Sequence, residues 1–154
     1  MARFELELPT DIIKTIDKIY DNSDEIFGEM TRAGAEVVKK NVESNAPDLI
    51  RTYAKTTKTY KTPSDDGINT KVYLNGYIPF SSPNRSAFVR KGGNGKNYST
   101  SKGVPVDFLA MLYEYGRSTA PFPKHPFLRK SFKKAEIEKA MLDAQKKATG
   151  GTLE

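Results

Sequence analysis

Residues 109–132 read LAMLYEYGRSTAPFPKHPFLRKSF, and this stretch decides how the rest of the chain can fold. An apolar, helix-like run meets Gly116, then a loop punctuated by Pro121, Pro123 and Pro126, then a second helix start. Gly116 can take the positive φ that ends a helix. The prolines keep the loop from becoming helix interior or central strand, and Pro126 suits the first position of the next helix. Met111, Leu112, Tyr113 and Tyr115 are expected to pack, and a turn so constrained holds Phe127 and Leu128 in one place. The stretch reads as a hinge between two buried elements.

On its N-terminal side, residues 104–115 predict a helix apolar almost all round, with only Asp107 and Glu114 polar. About two turns apart, those carboxylates share one side, which marks its wet or partner-facing surface. On the C-terminal side a final helix is predicted to begin at Pro126. Leu128, Phe132 and Ala135, joined by Leu142, form one stripe, while Ile137, Met141, Ala144 and Ala148 form a second on the opposite side. A helix with two apolar faces usually touches two things, a frayed amphiphilic end being the other reading. The expectation is that Ile137, Met141 and Ala144 meet a second subunit.

Farther upstream, Phe4, Leu6 and Leu8 alternate with charged residues as in a short half-buried strand, and Ile12, Ile13, Ile16, Ile19 and Tyr20 recur at helical spacing. Asn22 followed by Glu25 reads as a capping-box variant opening a longer helix through about residue 43, with Ile26, Met30, Ala33, Val37 and Val42 as its stripe. The small cluster Ala33-Gly34-Ala35 lets a neighbour come close, and Pro47 ends the helix. Residues 55–75 change to Thr, Tyr and Val around the turn signal Pro63-Ser64-Asp65-Asp66-Gly67, which predicts a β-hairpin. Its first strand, with Lys55, Lys58 and Lys61, suits a guarded sheet edge.

Residues 76–104 are rich in Gly, Ser, Asn and Pro, and are long for a plain connection. No acidic residue stands between Asp66 and Asp107, while Lys71, Arg85, Arg90, Lys91, Lys96 and Lys102 do. This is a basic arm, expected to stay mobile until a partner orders it, with a short strand near residues 87–90. Arg85, Arg90, Lys91, Lys96 and Lys102 are its candidate contacts to a protein partner or to nucleic acid.

The 154 residues suit one domain with a modest core. A net charge of +6 and a pI near 9.4 favour something acidic as partner. Hydrophobic content of 37% with a mean hydropathy of −0.61 points to surface that finds burial in a partner. The absence of cysteine excludes disulfides and thiolate metal sites. No apolar run approaches the ~20 residues of a membrane span, and no signal peptide is read.

Catalytic readings fail on chemistry. His125, the one histidine, stands between Lys124 and Pro126 with no carboxylate cluster around it, and capping the last helix suits it better than metal binding. Ser118 follows a helix where a nucleophile elbow needs a strand. The run Gly92-Gly93-Asn94-Gly95-Lys96-Asn97 lacks the first glycine and the Mg²⁺-binding hydroxyl of a phosphate loop. Asp107 and Glu114 have no substrate pocket suggested around them. No catalytic, cofactor or metal residue is expected.

The apolar run, Glu114-Tyr115-Gly116, the short loop, and His125-Pro126-Phe127-Leu128-Arg129 opening a lysine-rich helix resemble the gene-product-ten-like tail-component family of siphophages. A long helix ending in Asn45-Ala46-Pro47, with a hairpin after it, stands in that family's order. Gly116-Arg117-Ser118, and Arg51-Thr52-Tyr53 after Ala46-Pro47, depart from the family's usual Gly-Thr and Thr-Gly pairs. The resemblance implies a small neck, head-tail joining or tail-completion protein of the virion, assembled in the host cytoplasm and non-enzymatic. It implies a ring of this chain touching neighbouring neck or tail proteins, with packaged DNA as a candidate contact and no membrane. Glu114, Tyr115, Gly116, Pro126, Phe127 and Leu128 are then the family motif and fold hinge. A basic nucleic-acid-binding module is the alternative.

The fold expected is α+β over residues 1–148: a small, mainly antiparallel sheet with a central β-hairpin, packed by the long N-terminal helix and the C-terminal helix. Residues 76–104 form the long basic loop, and residues 149–154 a flexible terminus or a cloning scar.

Overall fold

The computed structural model describes residues 10–64, 66–81, 87–91, 96–117 and 122–150. The N-terminal strand at Phe4, Leu6 and Leu8, the candidate contact Arg85, Ser118 and residues 151–154 lie outside them. The described chain is a small α+β fold whose strands pair two by two in antiparallel ladders around one long helix.

Helices α1 (Thr10–Asp21) and α2 (Ser23–Asn45) follow each other with Asn22 between them. Asn22 N–H donates to the Lys18 carbonyl at 3.3 Å and Ile26 N–H to the Asn22 carbonyl at 3.0 Å, closing the end of α1 and the start of α2, while Asn22 itself, at φ −101° and ψ 12°, leaves helical geometry and separates the two helices. The capping box expected at Asn22 does not form. Its side-chain amide donates backward to the Lys18 carbonyl at 2.9 Å, satisfying the end of α1 rather than the start of α2. Pro47 ends α2 by holding Ala46 extended, at ψ 148°, and α3 (Asp48–Arg51) turns the chain back.

The central hairpin is β1 (Ala54–Thr56) and β2 (Tyr60–Lys61) going out, β3 (Ile68–Asn69) and β4 (Val72–Leu74) returning. β1 pairs with β4, Ala54 opposite Leu74, and β2 with β3, Tyr60 opposite Asn69. The hairpin lies across α2. Thr70 Oγ1 meets Thr31 Oγ1 at 3.3 Å, Thr56 Oγ1 donates to Glu36, and an ion pair from Lys61 to Asp24 ties the tip to the start of α2.

The excursion after the hairpin has more order than a loop. β5 (Tyr77–Ile78) pairs with β8 (Val104–Pro105) across its base, and β6 (Phe88–Lys91) pairs with β7 (Asn97–Thr100) as a ribbon. Gly103, at φ +126°, closes that base, because a Cβ there would strike the Ile78 carbonyl. Phe88 packs against Phe108, their ring centroids 4.9 Å apart, so the ribbon is seated on α4 (Val106–Tyr115).

The final helix is divided. α5 (Leu128–Ser131) is followed by the extended ψ values of Phe132 and Lys133, 75° and 96°, before α6 (Lys134–Ala148) resumes. The helix start expected at Pro126 therefore moves to Leu128, and the single long helix becomes two.

The core sits where α2, α3, β1 and α4 converge. Ile50 and Val106 are fully buried there among Val42, Ala46, Ala110 and Phe127. Each such aliphatic side chain contributes about 1.5–3 kcal/mol by leaving water. α6 runs along α2 beside Gly34. A Cβ at Gly34 would lie 3.1 Å from Met141 Cγ and 3.2 Å from Ile137 Cγ2, so the missing side chain is what lets the helices close. Ala144 borders the same seam near Ala33 and Glu29. This corrects the assignment of the two stripes. Ile137, Met141 and Ala144, expected at a subunit contact, are half-buried beside α2 of their own chain, with Ile137 and Met141 also bordering an open groove there, while Leu128, Phe132, Ala135 and Leu142 of the other stripe are exposed.

Candidate assembly surface

The turn between α4 and α5 is built around one carboxylate. Glu114, at the end of α4, is 2% exposed. Its Oε2 accepts the backbone N–H groups of Phe127 at 2.9 Å and Leu128 at 3.0 Å. Its Oε1 accepts the Arg129 backbone N–H at 3.4 Å and the Arg129 Nε at 2.8 Å. Short helix α5 is thus capped by a side chain from another helix, which satisfies N–H groups that have no partner within α5. Burial pushes the Glu114 carboxyl up, but the Arg129 hydrogen bond and the three backbone donors outweigh it and hold it below the ordinary carboxylate value. The reading of Glu114 as a wet face is corrected; Asp107, its expected companion, is exposed. The cap assigned to His125 belongs to Glu114 as well, while His125 is exposed and its backbone N–H donates to the Tyr113 carbonyl at 2.8 Å.

Around this anchor the chain is held tightly. Gly116 adopts φ +74°, and a Cβ there would come within 2.9 Å of the Phe122 carbonyl. Arg117 and Phe122 pair through both backbone bonds, at 3.2 and 3.3 Å, and Tyr113 meets Phe122 edge to face at 5.0 Å. Ser131 is fully buried at the other end of α5. Its Oγ lies 2.6 Å from the Phe127 carbonyl and 3.1 Å from the Asn41 carbonyl, and accepts from Asn45 Nδ2 at 3.1 Å. That hydroxyl fastens α5 to α2. Sequence reasoning passed over Ser131; the available signal was a small polar residue three positions from Leu128, inside a stretch otherwise read for its apolar stripe.

The basic positions are split between two places. By register Arg90 stands opposite Tyr98 and Lys91 opposite Asn97, so with Lys96 these positions gather toward the far end of the ribbon. Lys102 is at its base, where its Nζ lies 5.8 Å from the Tyr77 ring centroid. Lys96 and Lys102 are exposed.

Two apolar surfaces remain open among the described residues. The first is α1. Ile19 turns toward the chain's own C-terminal helix end, but Ile12, Ile13, Ile16 and Tyr20 face outward, Ile16 at 58% and Tyr20 at 80% exposed. The second is a shallow groove of about 410 Å³ between α2, the hairpin and α5–α6. Val38, Val72, Leu128 and Phe132 line it, and Phe132 is 67% exposed. Sequence periodicity located the α1 face without showing that the other described residues leave it open.

Chemically, exposed apolar surfaces of this kind suit association. Among the described residues no group of three or more His, Cys, Asp or Glu side chains could hold a metal ion, and no helix is long and apolar enough to cross a membrane. No protein-family model, no curated protein and no solved structure matches the chain.

Proposed function

We propose that this chain is a non-enzymatic structural protein of a tailed phage, acting at the head-tail junction or tail terminus as one subunit of an oligomeric ring. The role in the virion rests on the resemblance carried by Glu114-Tyr115-Gly116 and Pro126-Phe127-Leu128. The observation that supports a ring is the pair of unlike apolar surfaces, the outward face of α1 and the groove beside Phe132. Exposed apolar surfaces of this kind mark association sites. Two different patches on one subunit make heterologous contacts, which close into rings when the rotation between copies permits.

Imaging particles labelled through this chain tests the reading, with density expected as a ring at the neck or tail end. A rival reading draws on the ribbon, where Arg90, Lys91 and Lys96 gather by register. Arginine and lysine contacts to phosphates would give affinity that falls steeply with salt. A chain that stays monomeric alone and with neck or tail partners, yet binds duplex DNA with that steep dependence, replaces the ring by a nucleic-acid-binding module.

A further inference from the structure

We propose that Asn75 is a self-modifying site: the Gly76 backbone nitrogen attacks its side-chain amide, and the isoaspartyl linkage that results loosens the base of the basic excursion. The site stands apart from the apolar surfaces of the ring reading and does not depend on them.

Glycine at position 76 is a requirement of the packing. It takes φ +148°, and a Cβ there would strike the Tyr53 ring. The same lack of a side chain leaves the Gly76 nitrogen open to the residue before it, which is an asparagine. Asn75 is exposed in the short link between β4 and β5.

Hydrogen bonds pin the chain on both sides of this pair but not within it. Asn75 N–H donates to the Tyr53 carbonyl at 3.1 Å, Val106 N–H to the Gly76 carbonyl at 3.1 Å, and the Tyr53 hydroxyl to the Tyr77 carbonyl at 3.2 Å. Between these anchors, the Asn75 carbonyl, the Gly76 N–H and the Asn75 side-chain amide have no hydrogen-bond partner among the described residues. The peptide group joining Asn75 to Gly76 is therefore free to turn on ψ of Asn75 and φ of Gly76, carrying the nitrogen toward Cγ while its neighbours stay in place. Holding a weak nucleophile beside its target is what makes it effective. Asn45 and Asn69 are arranged the opposite way. Their side-chain amides donate to Ser131 Oγ, and to Thr62 Oγ1 and the Gly67 carbonyl, and the residues after them, Ala46 and Thr70, carry side chains.

The step balances with water as its co-reactant. The Gly76 nitrogen gives up its proton and bonds to Asn75 Cγ, the Cγ–Nδ2 bond breaks, and ammonia leaves with that proton. Water then opens the succinimide. Attack at Cγ gives aspartate with the ordinary backbone, and attack at the α-carbonyl gives isoaspartate, whose main chain runs through Cβ and Cγ. Either product puts a carboxylate where a neutral amide stood and lowers the net charge of +6 by one. Isoaspartate also inserts a main-chain atom between two anchored groups, the Asn75 N–H and the Gly76 carbonyl. The bond from Val106, where β8 passes into α4, then loosens, and with it the base formed by β5 and β8.

Ageing the purified chain in mildly alkaline buffer tests the site, with peptides mapped by mass spectrometry and isoaspartate read by enzymatic methylation. Mapping separates Asn75 from Asn94, which also precedes a glycine and lies outside the described residues. Conversion at Asn75 is expected to run at least about tenfold faster than at Asn45 or Asn69, and within about threefold of its rate in the guanidinium-unfolded chain. A folded rate about tenfold or more below the unfolded one overturns the proposal, because the peptide group is then held. Asn75→Gln, whose longer side chain disfavours ring closure, is expected to remove the signal at an unchanged melting temperature. The aged isoaspartyl form, separated by its lost charge, is expected to exchange its Val106 amide faster than the parent. Asn75→Asp carries the charge on an ordinary backbone and is expected to keep parent protection. Equal protection in aged and parent chains, or an equal loss in Asn75→Asp, overturns the loosening by the inserted atom.

Discussion

The Glu114 turn and helix α1 are built from similar material and end in opposite states. Both carry apolar side chains at helical spacing with acidic residues between them. At the turn the acid is buried and every one of its contacts is internal, four donors from residues 127–129 converging on one carboxylate. In α1 the acids stay beside a stripe that the described residues leave uncovered. The difference lies in connectivity. α4 is followed by a chain that turns back at Gly116 and returns its N–H groups to the helix end, whereas α1 meets the rest of the described chain mainly at its C-terminal end. One region holds the fold, and the other is available to a partner.

The comparison can be broken most sharply at Glu114. Glu114→Ala leaves the Phe127 and Leu128 amides without their acceptor and frees α5, and is expected to lower stability by about 3 kcal/mol. Chemical unfolding of the two proteins side by side measures it. A loss no larger than that of an average surface change would mean that water caps α5 equally well.

Acid titration should single out the same group. Because the folded pKa of Glu114 lies below its unfolded value of about 4.3, its stabilisation is complete above that unfolded value and is lost as pH falls through the folded one. Parent stability should therefore fall between those two values more steeply than that of Glu114→Gln. Parallel curves from thermal melts at stepped pH would show that other carboxylates dominate.

Ser131→Ala is expected to cost about 1 kcal/mol, less than Glu114→Ala, because Asn45 can turn its amide to water while the Phe127 and Leu128 N–H groups cannot. The urea midpoint reads this. At the other extreme, Tyr20→Ser in α1 should change stability by no more than about 0.5 kcal/mol, since that side chain is 80% exposed and loses little packing. A large destabilisation there would place the α1 face inside the fold and erase the contrast with Glu114.

The α+β class and the order of the main elements, from the long helix α2 through the hairpin to α4 and the last helical stretch, were legible in the sequence, whereas α3, the β5–β8 pair and the division of the last helix were not. Residues 55–75 announced the hairpin by composition and turn residues, Gly116 and the prolines announced the loop after α4, and Pro47 announced the end of α2. Gly34 gave a usable hint of close packing, and the approach of Met141 explains it. The ribbon of β6 and β7 was only half visible, because a run of Gly, Ser and Asn looks like loop until cross-strand pairing and the Phe88–Phe108 contact are known.

What the sequence determined by itself is local: helical or strand period, chain breakers, the basic stretch without acids, and two apolar stripes on the last helix. Which of these apolar side chains closed against α2 was a matter of three dimensions, because the extended Phe132 and Lys133 break the expected helical period and the gap at Gly34 receives Ile137 and Met141. Glu114 is the same case, since a carboxylate on a helix reads as solvated until a distant stretch of chain brings its N–H groups to it. Periodicity records how a side chain points relative to its neighbours in sequence. Burial and hydrogen bonding depend on what the rest of the chain places in front of it, and that is decided by tertiary structure alone.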